Sequence, residues 1–410
     1  MNQSQPNSAM RTAWLMVMLL WPVALLNYLD RQMLATMKTS MVGDIADIAS
    51  EANWGIVLGA FKWTYALLSP IGGYIADRFS RRLVITMSLF IWSAVTLGTG
   101  HVDTYYELVW ARALMGVSEA FYYPAALALI TDFHVGSTRS RAVGVHQTAI
   151  YVGAMMGVGA GYAADTPDFG WRLVFYLCGA IGMIYAIPLF LLLRNPARAL
   201  DRPLNPPPLA AAGELLKNGA FLLLLLYFTL PSLAGWVVRD WMPPILKDRF
   251  DLTQGNAGLA AVIPWQLAAL IGVVVGGWLA DRWMQRNVRG RIYVSAIGMS
   301  LFLPALFGVG NSQTVLAAVL FLALFGFGWG FFDCNNMPIL CQIARPELRA
   351  TGYGLMNLVG ISIGGFADWI FGSLQDRGVP LNVIFGVFAG IALLSVIVVL
   401  LIRPKAADVR

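Results

Sequence analysis

Nine ionisable side chains stand where charge is costly. Asp30, Arg31, Lys62, Arg112, Glu119, Arg239, Asp240, Asp333 and Asp368 all lie inside long apolar stretches of the chain. A charge at the centre of a membrane helix costs at least about 2.5–3.5 kcal/mol on insertion scales, so each such group needs a partner, a watery cavity or a task. Arg239, Asp240 and Asp368, near the ends of their stretches, can reach the interface by snorkelling. Asp30, Arg31, Arg112 and Glu119 are too deep for that. Asn27, Asp30 and Arg31 follow the i, i+3, i+4 spacing of one helical face, and Arg112 and Glu119 stand two turns apart on another.

Groups of this kind can exchange protons and hold anions. A neighbouring guanidinium favours an ionised carboxylate, whereas desolvation favours the neutral acid. A carboxyl balanced between the two can load a proton from one side of a membrane and release it to the other. Asp30 and Glu119 are therefore the proton-coupling candidates, with Arg112 tuning them. Arg31 is the candidate to hold an anion, because a planar guanidinium takes a carboxylate through two parallel hydrogen bonds. Lys62 and Arg239 add cationic charge, and the excess of cations favours an anionic ligand. Gln147, next to His146, and the pair Asn335 and Asn336 offer amide groups suited to hydroxyls, although polar residues in membrane helices also bind neighbouring helices. Trp265, Gln266 and Asn357 are weaker candidates of the same kind.

The elements that must carry these residues follow from composition. The chain has 410 residues, 58% hydrophobic and 12% charged, with a mean hydropathy of +0.67. Soluble domains carry roughly 25% charged residues, so a water-facing surface of ordinary kind cannot be built here. Disorder is excluded by the same numbers. Cys178, Cys334 and Cys341 lie in apolar stretches without ligand spacing, so neither a disulfide framework nor a metal site is implied. A spanning helix needs about 20 apolar residues. Such stretches occur at about 12–36, 54–76, 83–101, 106–130, 142–164, 171–193, 219–246, 257–281, 291–310, 314–341, 350–374 and 381–402. The expected fold is an all-α integral membrane protein of twelve helices. Residues 1–193 and 219–410 form two six-helix bundles, and the Pro-rich stretch 194–218 is a cytoplasmic linker.

Charge placement gives the orientation. With a cytoplasmic N-terminus, nineteen Lys and Arg residues fall on the inner side and five on the outer. That bias places both termini in the cytoplasm of an inner (cell) membrane. It also accounts for the net charge of +6 without nucleic acid, because the basic residues are scattered over loops and tails. An enzyme is disfavoured, since the chain has no HExxH and its histidines, His101, His134 and His146, are far apart in sequence. No pore-loop segment or P-loop suggests a channel or an ATP-driven pump.

The halves echo each other. Gly73-Tyr-Ile-Ala-Asp77-Arg78 returns as Gly277-Trp-Leu-Ala-Asp281-Arg282, and Arg141-Ala-Val-Gly144 as Arg349-Ala-Thr-Gly352. Repeats of this kind build transporters whose substrate lies near the midplane. Asp333 and Pro338 in the tenth span parallel Glu119 and Pro124 in the fourth. Glycines crowd the fifth and eleventh spans (Gly153, Gly157 and Gly161; Gly360, Gly364 and Gly365) and suggest sliding contacts between the bundles, or tight packing without motion.

The stretch Gly73, Asp77, Arg78, Arg81 and Arg82 resembles the G-x-x-x-D-R-x-x-R-R signature of the major facilitator superfamily, and the resemblance covers the whole chain. It implies two bundles rocking about a central site, with this loop as a cytoplasmic conformational latch. Asn27-Tyr28-Leu29-Asp30-Arg31, Arg112-x-x-x-Gly116-x-x-Glu119 and Phe61-Lys62-Trp63-Thr64-Tyr65 are similar to the anion:cation symporter branch, which includes sugar-acid and sialin-like carriers. The resemblance implies proton coupling at Asp30 and Glu119, tuning at Arg112, and substrate contact at Tyr28, Arg31 and Tyr65. Ile150, where sugar-acid members carry glutamine, Lys62 and the Arg239–Asp240 pair depart from that pattern. The expected function is proton-coupled import of a small organic anion such as an aldonate or uronate by a monomer. It needs no cofactor beyond the proton gradient. The alternative is a spinster-like exporter of lysolipids or amphipathic compounds.

Overall fold

The computed structural model describes residues 7–134, 138–195 and 208–404. Residues 196–207 of the linker stretch thus lie outside the described residues, as do the side chains of Gly73 and Asp77. Among the described residues the chain is helical throughout, with no strand. The helices are α1 (Asn7–Thr36), α2 (Lys38–Asp44), α3 (Glu51–Arg78), α4 (Arg81–Thr99), α5 (Tyr105–Glu119), α6 (Tyr122–Phe133), α7 (Arg139–Met156) and α8 (Gly159–Asp165). Then come α9 (Gly170–Leu192), α10 (Pro208–Leu216), α11 (Gly219–Phe250), α12 (Gln254–Met284), α13 (Gly290–Asn311), α14 (Val315–Ile343), α15 (Pro346–Asp376) and α16 (Leu381–Leu401).

Twelve spans account for all but two of these. The fourth span is α5 with α6, the fifth is α7 with α8, α2 extends the first, and α10 belongs to the connection between halves. Among the described residues, ten helices are long and apolar enough to cross a bilayer by length and composition alone. Large apolar side chains on them, such as Trp110, Ile184, Leu191 and Val274, are exposed, as lipid-facing residues must be.

Two spans expected as continuous helices are interrupted, each for a local reason. Pro124 has no N–H to bond the carbonyl four residues earlier, at Ala120, and its ring crowds that carbonyl. The helix accordingly stops at Glu119 and resumes at Tyr122. In the fifth span, tighter bonds from Val158 N to Met155 O and from Ala160 N to Gly157 O interrupt the run at Gly157 and Val158. Glycine's low helix propensity favours the break there.

The chain divides into two compact units. One comprises Met1–Ile48, Ala60–Arg202 and Thr253–Gly255; the other comprises Ala49–Gly59, Pro203–Leu252 and Asn256–Arg410. The core of the first unit gathers Met16, Leu20 and Val23 from α1, Leu89 and Trp92 from α4, Tyr122 and Leu129 from α6, Ala149 from α7 and Leu189 from α9. In the second unit Trp265, Phe302, Phe325, Trp329 and Phe332 form one aromatic cluster, with only Phe302 and Trp329 stacked among these contacts.

The repeat is confirmed and its register sharpened. Thr104 caps α5 and Thr314 caps α14. Arg139 bonds the carbonyls of His134 and Thr131, five and eight residues back, and Arg349 bonds those of Ala344 and Cys341 at the same separations. Both pairs give an offset of 210, so Arg349 answers to Arg139 rather than to Arg141. A β-carbon at Gly116 would strike Phe61 O and Thr64 Oγ1, and one at Gly326 would strike Trp265 O, which extends the same register into the fourth and tenth spans. At that offset Glu119 aligns with Trp329 and Asp333 with Tyr123, so the parallel between Glu119 and Asp333 is displaced by a turn. Gly153 lies against Leu25 of α1, and Gly364 against Trp236 of α11, each pair inside one unit.

Candidate functional site

The first unit buries a charged cluster where α1, α3, α4 and α5 supply the side chains. Glu119 is fully buried, Asp30 is 2% exposed and Arg112 3%. Arg31 reaches Glu119 with both Nε and Nη2, each donating to Oε2 at 2.8 Å. Oε1 of the same carboxylate has no hydrogen-bond partner among the described residues. One oxygen thus holds the guanidinium and the other is open.

Aromatic rings complete the guanidinium's surroundings. Arg31 Cζ lies 4.9 Å from the Tyr28 ring centroid and 4.7 Å from those of Phe61 and Tyr65. Such faces attract a cation, the more so away from water. Phe61 is shared, since Arg112 Cζ lies 4.8 Å from the same ring. Its placement follows from α3, where Phe61 and Tyr65 are four residues apart and stack at 5.7 Å.

Sequence spacing suggested Arg112, two turns from Glu119 on the same span, as the residue that tunes it, and Arg31 as the one to hold an anion. The hydrogen-bonded cation is Arg31, from a different helix, while Arg112 Nη1 donates to Met115 Sδ at 3.0 Å. Asp30, beside Arg31 in sequence, points elsewhere. Its Oδ2 accepts from Thr96 Oγ1 on α4 at 3.2 Å, and Oδ1 is buried without a hydrogen bond. Asn27 is buried and lies near Glu119. Lys62 is buried on α3, directly after Phe61 and three residues before Tyr65. Thr96 and Phe61 were not singled out from sequence. Thr96 was one of five hydroxyl residues in its helix, with Thr86, Ser88, Ser93 and Thr99, and Phe61 appeared as one aromatic among several.

The remaining candidates are distributed more widely. Gln147 Nε2 donates to Tyr123 OH at 2.9 Å within the first unit. In the second unit Arg239 lies over Trp236, with its Nε 4.0 Å from Asp240. Asn335 Nδ2 bonds its own helix at Phe331 O, whereas both amide atoms of Asn336 are buried without partners among the described residues. Asp333 is exposed on α14. Asp368 accepts from Trp241 Nε1 at 3.2 Å. In the signature loop, Arg81 bonds Asp132 and the Ala128 carbonyl on α6, Arg82 lies 4.1 Å over Phe190 on α9, and Arg78 is exposed. Arg81 and Arg82 therefore tie that loop to two other helices in the same unit.

A sequence profile described as Major Facilitator Superfamily matches residues 20–368. Among curated proteins, spinster homolog 1 of Bos taurus is 28% identical over 393 residues, covering 88% of this chain and 73% of that one. A probable galactarate/D-glucarate transporter, GarP, of Escherichia coli (strain K12) is 26% identical over 393 residues, covering 87% and 86%. Among solved structures, a bacterial homolog of the human lysosomal transporter Spinster, inward-facing and unoccupied, superposes with a TM-score of 0.81. It is 21% identical and is covered in full by 98% of this chain.

Proposed function

The chain belongs to the major facilitator superfamily, and we propose that it is a proton-coupled symporter of a small organic anion, with a sugar acid as the substrate class. The observation that carries this reading is the buried Arg31–Glu119 pair. A guanidinium can serve an internal carboxylate or an incoming one, and here the internal one holds it through a single oxygen. A proton on the open Oε1 neutralises Glu119 and weakens its hold. Arg31 then offers Nε and Nη2 to the substrate carboxylate. Loss of the substrate restores the internal pair and expels the proton. Proton and anion occupy the unit together or leave it together, and a neutral load lowers the cost of carrying both across the membrane interior.

The roles follow from place. Tyr28, Phe61 and Tyr65 confine the guanidinium. Asp30, held by Thr96, is a second proton carrier, and Arg112 and Lys62 keep the region cationic enough to draw an anion in. Asn336, buried with its amide unpartnered, is the second unit's candidate for a substrate hydroxyl. The similarity to GarP supports a sugar acid. The similarity to spinster homologs, and the ring-lined surroundings of Arg31, support a second reading: export of an amphipathic anion such as a lysolipid.

The test uses purified protein in liposomes with labelled D-glucarate and, separately, lysophosphatidylglycerol. Glu119→Gln is expected to abolish accumulation driven by a proton gradient and to retain counterflow exchange. Accumulation by Glu119→Gln against a concentration gradient would remove Glu119 from coupling. Thermal stabilisation by lysophosphatidylglycerol but not by D-glucarate would favour the second reading, since a ligand stabilises the state it binds.

A further inference from the structure

One buried polar pair in the first unit is left unexplained by the charged cluster. His146 of α7 is fully buried, and its Nε2 lies 2.8 Å from Tyr122 OH on α6. The same hydroxyl lies 3.2 Å from the Leu20 carbonyl of α1. A phenol has one proton to give and a carbonyl can only accept. With that proton on Leu20 O, the imidazole donates from Nε2 to the phenol oxygen. Nδ1 is then left as a bare lone pair, with no partner among the described residues. The opposite tautomer would bury the Nδ1–H without an acceptor, which is the costlier arrangement.

The next rung has the same form. Gln147 Nε2 donates to Tyr123 OH, and Gln147 Oε1 is buried without a partner. Two consecutive residues of α7 thus meet two consecutive residues of α6, each presenting one open acceptor. Packing does not require this polarity. In the 210-residue register, the second unit carries Phe332 and Met356 where the first has Tyr122 and His146, and both are buried. Tyr122 and Tyr123 also stand one turn beyond Glu119, across only the two-residue break at Ala120 and Phe121. His146 therefore lies between the Glu119 carboxyl and the end of the unit that carries Arg139, Arg141 and the signature loop.

We infer that His146 is a proton-relay residue that takes the proton Glu119 gives up and passes it to water at the basic end of the unit. The inference rests on the coupling reading for Glu119. In the step, the Glu119 O–H bond breaks and an N–H bond forms at His146 Nδ1. The carboxylate returns to Arg31, and the imidazolium yields its proton to water. The titratable and charged groups on the elements around His146 are Arg11, Tyr28, Asp30 and Arg31 on α1, Tyr122, Tyr123 and Asp132 on α6, Tyr162 and Asp165 on α8, and Arg139, Arg141 and Tyr151 on α7 itself. Tyr122 is the one that bonds the ring.

Two measurements test this. Nitrogen NMR of histidine-labelled protein has only His101, His134 and His146 to resolve, and His146→Gln assigns the third. His146 is expected as the Nε2–H tautomer, with a titration midpoint that moves by half a pH unit or more in Glu119→Gln. An Nδ1–H tautomer, or a midpoint indifferent to Glu119, overturns the relay. In liposomes, His146→Gln is expected to slow D-glucarate-coupled proton release at least tenfold, with counterflow within twofold of wild type. Unchanged proton release overturns it as well. If the wild-type protein moves no D-glucarate, the substrate reading fails alone and the NMR arm still decides the relay.

Discussion

A guanidinium in contact with three aromatic rings and one carboxylate oxygen is a geometry that a lysine cannot reproduce. Arg31 uses Nε and Nη2 together on Glu119 Oε2, while its flat face lies against Tyr28, Phe61 and Tyr65. An ammonium is a compact, strongly hydrated point charge that can match neither the fork nor the stacking. Arg31→Lys is therefore expected to keep the positive charge yet weaken D-glucarate binding at least tenfold, about 1.4 kcal/mol. Isothermal titration on the purified variant measures this, and affinity within twofold of wild type would move the anion site away from Arg31. That Arg31, Glu119, Asp30 and Arg112 belong to one buried region was legible in the sequence, because charges are scarce in the spans and each is conspicuous. Their partners were not legible. Spacing along one helix put Arg112 with Glu119, but the bond forms between helices, where the approach of α1 to α5 decides and no periodicity records it.

At the scale of elements, two carboxylates close two helix starts in matching fashion. Asp376, the last residue of α15, accepts from Ser50 Oγ at 2.8 Å and from the N–H groups of Glu51 and Ala52 at 2.8 and 2.9 Å, at the beginning of α3. Asp165, the last residue of α8, accepts from Gln254 Nε2 at 2.9 Å and Gly255 N at 3.0 Å, at the beginning of α12. The first contact lies in the second unit and the other in the first. The unpaired N–H groups and the positive dipole of a helix N-terminus favour a negative acceptor there. Removing a side-chain cap costs about 0.5–2 kcal/mol. Asp165→Ala and Asp376→Ala are each expected to lower the melting temperature of the purified protein, and together to act additively because they share no partner. The Asn variants, which keep an oxygen to accept, should fall between Ala and wild type. Equal melting of all these variants would show that the caps carry no stability. Sequence gave no hint of either cap, since an aspartate at the end of one helix serves the beginning of another that is distant in the chain. Because twenty apolar residues leave few alternatives to a helix, the spans themselves were legible, though their ends differ by up to five residues and the breaks in the fourth and fifth were not foreseen.

For the molecule as a whole, the distribution of basic residues makes the most exposed prediction. Nineteen of the 28 Lys and Arg residues fall on the side assigned to the cytoplasm and five on the other. Several of the nineteen also have structural work, as Arg81 does on Asp132 and Arg139 and Arg349 do on helix-end carbonyls. That double service accounts for why the repeat is clearest in its basic loops: the same arginines set orientation during insertion and hold helix ends afterwards. The three native cysteines, Cys178, Cys334 and Cys341, are half-buried and can be replaced by serine to give a background without thiols. Gln313, exposed between α13 and α14, and Gln285, exposed after α12, then serve as reporters on opposite faces. In intact cells Gln313→Cys is expected to react with a membrane-impermeant maleimide, while Gln285→Cys reacts only after the membrane is opened. Glu347→Cys, at the start of α15, should behave like Gln285→Cys, because the spans between them return the chain to the same side. The reverse pattern would invert the molecule, and with it the direction in which His146 stands from Glu119. A mixed pattern, with Gln285→Cys and Glu347→Cys on opposite sides, would break the count of spans between them and with it the two-fold repeat on which the assignment of both units rests.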